Sequence, residues 1–264
     1  MEIINAHAHI YPERIAQKAT AAIGDFYSLN MELSCGTVSK LLIDGKKAGI
    51  TKHVVHSVAT NPHQVRSIND FLKSEIDIHA ELIGFIALHS DLSREDINSE
   101  IEWGRNNGFL GIKLHPDFQR FYIDSVEARE IYSAAQGKLP ILVHIGDDRY
   151  DFSHPERLIK MAREYSDTVF IAAHFGGYRC WDNLERYKDL KNVYFDTSSS
   201  LAFISVDKAK ETIDTLGADR FFFGTDFPMW RATGELDRFY KIPLSESERR
   251  MILADNFKRV FKIN

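Results

Sequence analysis

Cysteine is almost missing: Cys35 and Cys180 are the only two in 264 residues, too few for a disulfide framework and at most part of a metal site. A reducing, cytoplasmic setting is therefore expected. No apolar run approaches the roughly 18 residues of a spanning helix. The N-terminus also lacks a basic stretch followed by an apolar one, so neither a membrane span nor a targeting peptide is expected. Positive charge is in deficit, with 33 Lys and Arg against 38 Asp and Glu and a net charge of −5. That is the wrong sign for a nucleic-acid binder. No Gly-x-Gly-x-x-Gly follows the first strand and no Walker-type Gly-x-x-x-x-Gly-Lys-Ser/Thr occurs, which removes the usual nucleotide sites. A small-molecule partner is what these absences favour.

What is present is an ordinary core, with 44% hydrophobic and 27% charged residues. Short apolar, β-branched runs read as strands near Ile3–His9, His53–Val58, Leu82–His89, Gly111–His115, Ile141–His144, Val169–His174, Val193–Thr197 and Phe221–Thr225. Helical patterns lie between them, such as 64–79, 94–106, 125–137, 155–165, 183–191 and 206–216, several opened by Ser or Pro and several closed near Gly. About eight strand-helix units and no Gly/Ser/Pro-rich linker predict an α/β fold, a single-domain (β/α)8 TIM barrel over residues 1–264. A doubly wound open sheet is the alternative.

In such a barrel, chemistry sits at the C-terminal strand ends. The histidines fall there: His7 and His9 after strand one, His89 after three, His115 after four, His144 after five, His174 after six. Asp226 follows strand eight. His7 and His9, at i and i+2, leave one face of a strand and can reach one ion. Alone the pair means little, because 11 His in 264 residues yield about 0.45 chance His-x-His pairs per chain. Taken with His144 and Asp226 it specifies a metal site of zinc character. His53 and His56, three apart, point to opposite strand faces and cannot share an ion.

These residues occur in Asn5-Ala6-His7-Ala8-His9, Gly111-Ile112-Lys113-Leu114-His115-Pro116, Pro140-Ile141-Leu142-Val143-His144, Ala173-His174-Phe175-Gly176-Gly177 and Gly224-Thr225-Asp226-Phe227-Pro228. In that order they resemble the amidohydrolase superfamily, and within it the family of aminocarboxymuconate-semialdehyde decarboxylase and related lactonases, hydratases and decarboxylases. The resemblance implies a divalent metal on His7, His9, His144 and Asp226, with His174 as general acid/base; a ligand role for His174 with Asp226 as the base is the other arrangement. One Zn2+ is expected. Lys113 leaves two metals open, since binuclear members carry a carboxylated Lys on strand four, and His115 shares its strand face. Homodimers are common in the family.

The reaction expected first is hydrolysis of an ester, lactone or amide carbonyl by metal-bound hydroxide. The alternative is nonoxidative decarboxylation of an unsaturated or aromatic acid. Loops pairing Arg with aromatics, Arg149-Tyr150, Tyr178-Arg179-Cys180-Trp181 and Trp230-Arg231, suit a carboxylate-bearing substrate held by Arg149, Arg179, Trp181 and Arg231. Deoxyribonucleases with a His-x-His barrel start typically carry Glu in the strand-four region, where this chain has Gly111–His115. A non-catalytic metal-binding protein is the remaining class.

Overall fold

The structure, a computed structural model, describes residues 1–182 and 184–263. Its eight strands follow one another in chain order: β1 (Ile4–His9), β2 (Lys52–His56), β3 (Leu82–Ala87), β4 (Gly111–Leu114), β5 (Ile141–Val143), β6 (Phe170–Ala172), β7 (Val193–Asp196) and β8 (Phe221–Phe222). Their pairings are parallel, with helical segments between successive strands. This is the (β/α)8 architecture; a doubly wound sheet would reverse its strand order at a switch point.

Every expected strand forms, and each is shorter than its apolar run. β5 stops at Val143, β6 at Ala172 and β8 at Phe222, so His144, His174 and Asp226 stand in the segments beyond them. For two of these the reason is local: His174 and Asp226 take left-handed backbone, with φ of 62° and 56°, which no strand can continue through. Helices Arg94–Asn106 and Val206–Leu216 form as read, each with a serine hydroxyl accepting a first-turn N–H, from Asp96 to Ser93 and from Lys208 to Ser205. Of the helix expected over 183–191, Asn183 lies outside the described residues and the rest forms only a 3-10 turn, Leu184–Tyr187. Beyond that turn Asn192 is anchored. Its side chain donates to the carbonyls of Ala162, Tyr165 and Thr168, which aims Val193 into β7.

The chain divides into two compact units. The first comprises Met1–His56, His79–Ile83 and Thr197–Asn264. Its core holds Val54, Val55, Phe222, Phe223 and Phe257, all at most 1% exposed, each stabilising the fold by about 1.5–3 kcal/mol. Helix Val38–Lys47 is fastened to helix Ala232–Tyr240 where Asp44 Oδ2 accepts from Ala232 N at 2.7 Å. The second unit comprises Ser57–Ile78 and Gly84–Asp196. There Ile112, Ile141 and Phe170 stand in register across β4, β5 and β6 and are fully buried. Asn69 clamps Ala87, donating to its carbonyl at 3.1 Å and accepting from its N–H at 2.8 Å. No helix among the described residues is long and apolar enough to cross a membrane.

Glu235, in the first unit, is fully buried, and its Oε2 has no hydrogen-bond partner among the described residues. Burial pushes its carboxyl up to about 8, against the opposing pull of Arg238. The fold therefore keeps this proton at pH values where the unfolded chain has lost it. The stability it contributes is present in the ordinary carboxylate range and is lost as pH rises toward about 8, by about 1.36 kcal/mol per unit. Glu235→Gln is expected to flatten that fall in denaturant unfolding between pH 5.5 and 8.5. Equal slopes for variant and parent would refute it.

Candidate active site

In the first unit, the segment after β8 is laid against β1 by backbone bonds from Ala6 N to Phe223 O at 2.7 Å, Asp226 N to His7 O at 3.0 Å and His9 N to Phe227 O at 2.7 Å. Asn5 locks the same junction. Its Oδ1 accepts from His7 N and Thr225 N, and its Nδ2 donates to Thr225 Oγ1 at 2.9 Å. Asn5 and Thr225 thus hold in place the two strand ends that carry His7, His9 and Asp226.

All three of those residues are buried. His7 Nε2 lies 3.4 Å and His9 Nε2 3.3 Å from Asp226 Oδ1. These separations exceed the 2.7–2.9 Å or so of a charge-assisted hydrogen bond. They match the ligand-to-ligand edge, about 3.3–3.4 Å, of a tetrahedral ion with bonds of about 2.0–2.1 Å. His7 Nδ1 is held at 3.1 Å by Ser198 Oγ, which leaves Nε2 facing the carboxylate. The three residues fit a metal ion. His56, at the end of β2, packs edge-on against His7 and His9 with ring centres 4.7 and 4.4 Å away. The spacing of His53 and His56 shows only that they cannot share an ion; β2 pairs with β1 so that His56 sits beside His9, a register that one strand's sequence does not carry. His53 turns the other way, toward Asn5 at 3.4 Å, and burial lowers it to about 4.

In the second unit, His144 and His174 come together. His144 Nε2 lies 2.9 Å from the carbonyl of Gly146, which can only accept, so Nε2 carries the proton and Nδ1 presents a lone pair. That Nδ1 faces His174 Nε2 at 2.8 Å. His174 is held in its left-handed conformation from both sides, its N–H donating to Asp196 Oδ1 at 3.1 Å and its carbonyl accepting from Trp181 Nε1 at 3.0 Å. Gly146, at φ 82°, has no room for a side chain: an added Cβ would lie 2.6 Å from Tyr178 N. Gly146→Ala is expected to cost about 2–4 kcal/mol through overlap and strain, read as a lower denaturant midpoint; an unchanged midpoint would contradict the backbone placement.

His115, Asp117 and His144 bring potential ligand atoms within 4.8 Å of one another, yet the rings argue against a shared ion. His115 stacks on His144 at 4.0 Å and 10°, with Phe118 on its other face at 3.9 Å and 9°. The lone pairs of parallel imidazoles run side by side in the ring planes and do not converge. His115 instead braces the His144 ring. Asp117 accepts from Ser153, and burial pushes its carboxyl up to about 7. Lys113 is buried in β4, in register with Ala87 and Leu142.

The residues expected to bind substrate have other engagements. Asp147 takes Arg149 in a bidentate pair at 2.9 and 2.7 Å. Arg179 lies 3.9 Å from Asp148 and over the Tyr178 ring. Trp181 supports His174, as above. Arg231 lines a cavity of about 360 Å³ with Lys40, Lys47, Met31, Leu33 and Ile43.

His7 and His9 at the end of β1 and Asp226 in the segment after β8 form a donor set suited to a metal ion, carried by a β/α barrel. The amidohydrolase family model matches residues 4–263, and the chain belongs to that family. Among solved structures it is similar to 2,6-dihydroxybenzoate decarboxylase complexed with 2,6-dihydroxybenzoate, at 18% identity, covering 100% of each chain, with a TM-score of 0.78. It is also similar to 5-carboxyvanillate decarboxylase from Novosphingobium aromaticivorans complexed with manganese and 4-hydroxy-3-methoxy-5-nitrobenzoic acid, at 16% identity, 99% of this chain and 96% of that one, TM-score 0.78. A third is a candidate 2-pyrone-4,6-dicarboxylic acid hydrolase from Pseudomonas putida, at 15% identity, 98% and 97% coverage, TM-score 0.69. At these identities the likeness is one of fold. No curated protein matches the chain.

Proposed function

We propose that this protein is a metal-dependent hydrolase acting on an ester, lactone or amide carbonyl of a small, carboxylate-bearing substrate. The observation that carries the reading is the placing of His7 Nε2 and His9 Nε2 at 3.4 and 3.3 Å from one oxygen of Asp226, a spacing suited to an ion and too long for a strong ion pair. When bound, one divalent ion of the zinc class supplies Lewis acidity that makes hydroxide available near neutral pH. The chain's own groups do the rest. Gly146 O holds the proton of His144 on Nε2, and Asp226 turns Oδ1 toward His7 and His9. His174 would accept or return a proton at Nε2, the atom that meets His144 Nδ1 at 2.8 Å. Arg149 and Arg179 would meet a substrate carboxylate in exchange for their present partners, Asp147 and Asp148.

Decarboxylation is the second reading, favoured by the names of the dihydroxybenzoate and carboxyvanillate decarboxylases. There His174 would deliver its proton to the carbon that loses CO2. Chelator-stripped protein reloaded with Zn2+ or Mn2+, assayed in parallel for ester or lactone opening and for CO2 release over a carboxylate panel, tests both. Opening without CO2 supports the hydrolase. CO2 release without opening replaces it with the second reading. Full metal retention with neither reaction overturns both.

A further inference from the structure

The structure assigns a positioning role to Ser199 and Trp230: together they commit one oxygen of Asp226 to the protein, so that only the other is offered to an ion. This rests on the metal-binding reading given above.

The direction of the hydrogen bonds carries the argument. An indole N–H donates and never accepts, and Trp230 Nε1 lies 2.9 Å from Ser199 Oγ. The Ser199 hydroxyl must therefore send its single proton elsewhere. Two acceptors are within reach, Asp226 Oδ2 and Met229 Sδ, the latter at 3.2 Å. A thioether is a weak acceptor and a carboxylate a strong one, so the proton goes to Asp226 Oδ2. Asp226 Oδ1 is the atom facing His7 Nε2 and His9 Nε2. Ser199 is 1% exposed, which leaves solvent little access to take over its hydrogen bonds. Both partners are held in left-handed backbone, Ser199 at φ 48° and Asp226 at φ 56°, conformations that persist only where the surroundings impose them. Trp230 is fixed in turn by the Arg238 guanidinium 4.9 Å over its ring and by Phe203 edge-on at 5.8 Å. Asp226 is thereby a one-oxygen ligand, which keeps the number of protein donors low and leaves coordination positions for reactants, as a catalytic site requires.

The test uses Co2+ as the probe on stripped, full-length protein, with affinity from isothermal titration and coordination from visible absorption. Ser199→Ala and Ser199→Gly both remove the donor, and the glycine variant suits φ 48° better than serine does, so folding is not at stake in it. Both are expected to bind Co2+ about 10–100-fold more weakly, with a weaker absorption band as the second carboxylate oxygen enters the coordination shell. Trp230→Phe, which keeps the ring and loses the N–H, is expected to shift both readouts the same way by less. Ser199→Gly with Co2+ affinity within twofold of the parent and an unchanged spectrum overturns the inference and leaves the metal reading standing. A parent protein that binds neither Co2+ nor Zn2+ overturns the metal reading, and this inference with it.

Discussion

His9→Ala is expected to empty the metal site and lower kcat/KM by about four orders of magnitude, or about 5.4 kcal/mol of transition-state stabilisation at 1.36 kcal/mol per tenfold. His9 Nε2 stands 3.3 Å from Asp226 Oδ1 and shares that oxygen with His7. Removing it leaves two close ligand atoms on that side, fewer than the three protein ligands of a catalytic zinc site. The global fold should persist, because the β1 backbone bonds that fasten the segment after β8 do not use the ring. Metal per chain by elemental analysis, together with a thermal melt, separates loss of the site from loss of the fold. A variant with full metal content and parental turnover would remove His9 from the site.

The second large effect is expected at His174. His174→Asn should lower kcat by about 10²–10⁴, the usual contribution of a positioned acid or base, while metal content stays at the parental level. The geometry gives the reason for keeping the two effects apart. His144 has its proton fixed on Nε2 by Gly146 O and presents a lone pair at Nδ1, whereas His174 meets it through Nε2 at 2.8 Å. If metal is lost along with activity, His174 is a ligand and Asp226 takes the part of the base.

Much of this was legible along the chain because it is periodic or additive. Eight apolar runs separated by amphipathic stretches required a β/α alternation, and strand-end positions for His7, His9, His144, His174 and Asp226 followed from counting along those runs. His56 was not legible. Its distance of three from His53 put it on a different strand face, and nothing in one strand shows which residue of its neighbour will lie alongside; the pairing of His9 with His56 does. What the loop arginines engage was not legible for a related reason. Arg149 beside Tyr150 reads as a carboxylate clamp, yet Asp147, two residues earlier, takes the guanidinium first. Of the helix expected over 183–191, the described residues form only the short turn Leu184–Tyr187, and Asn192 beyond it is held by the carbonyls of Ala162, Tyr165 and Thr168, which lie far off in the sequence.

Residue types and their spacing thus settle the architecture and name the residues proposed to hold a metal, and no helix among the described residues is long and apolar enough to cross a membrane. These depend on residue type, net charge and spacing, which are properties of the chain in any conformation. Tertiary structure alone decided which atom of each residue is used. His144 is turned by a carbonyl two residues on, His115 lies flat against it, and Asp226 is divided between an oxygen facing His7 and His9 and one held by Ser199. Lone pairs and protons have direction, and direction is set only when the backbone has placed the partners.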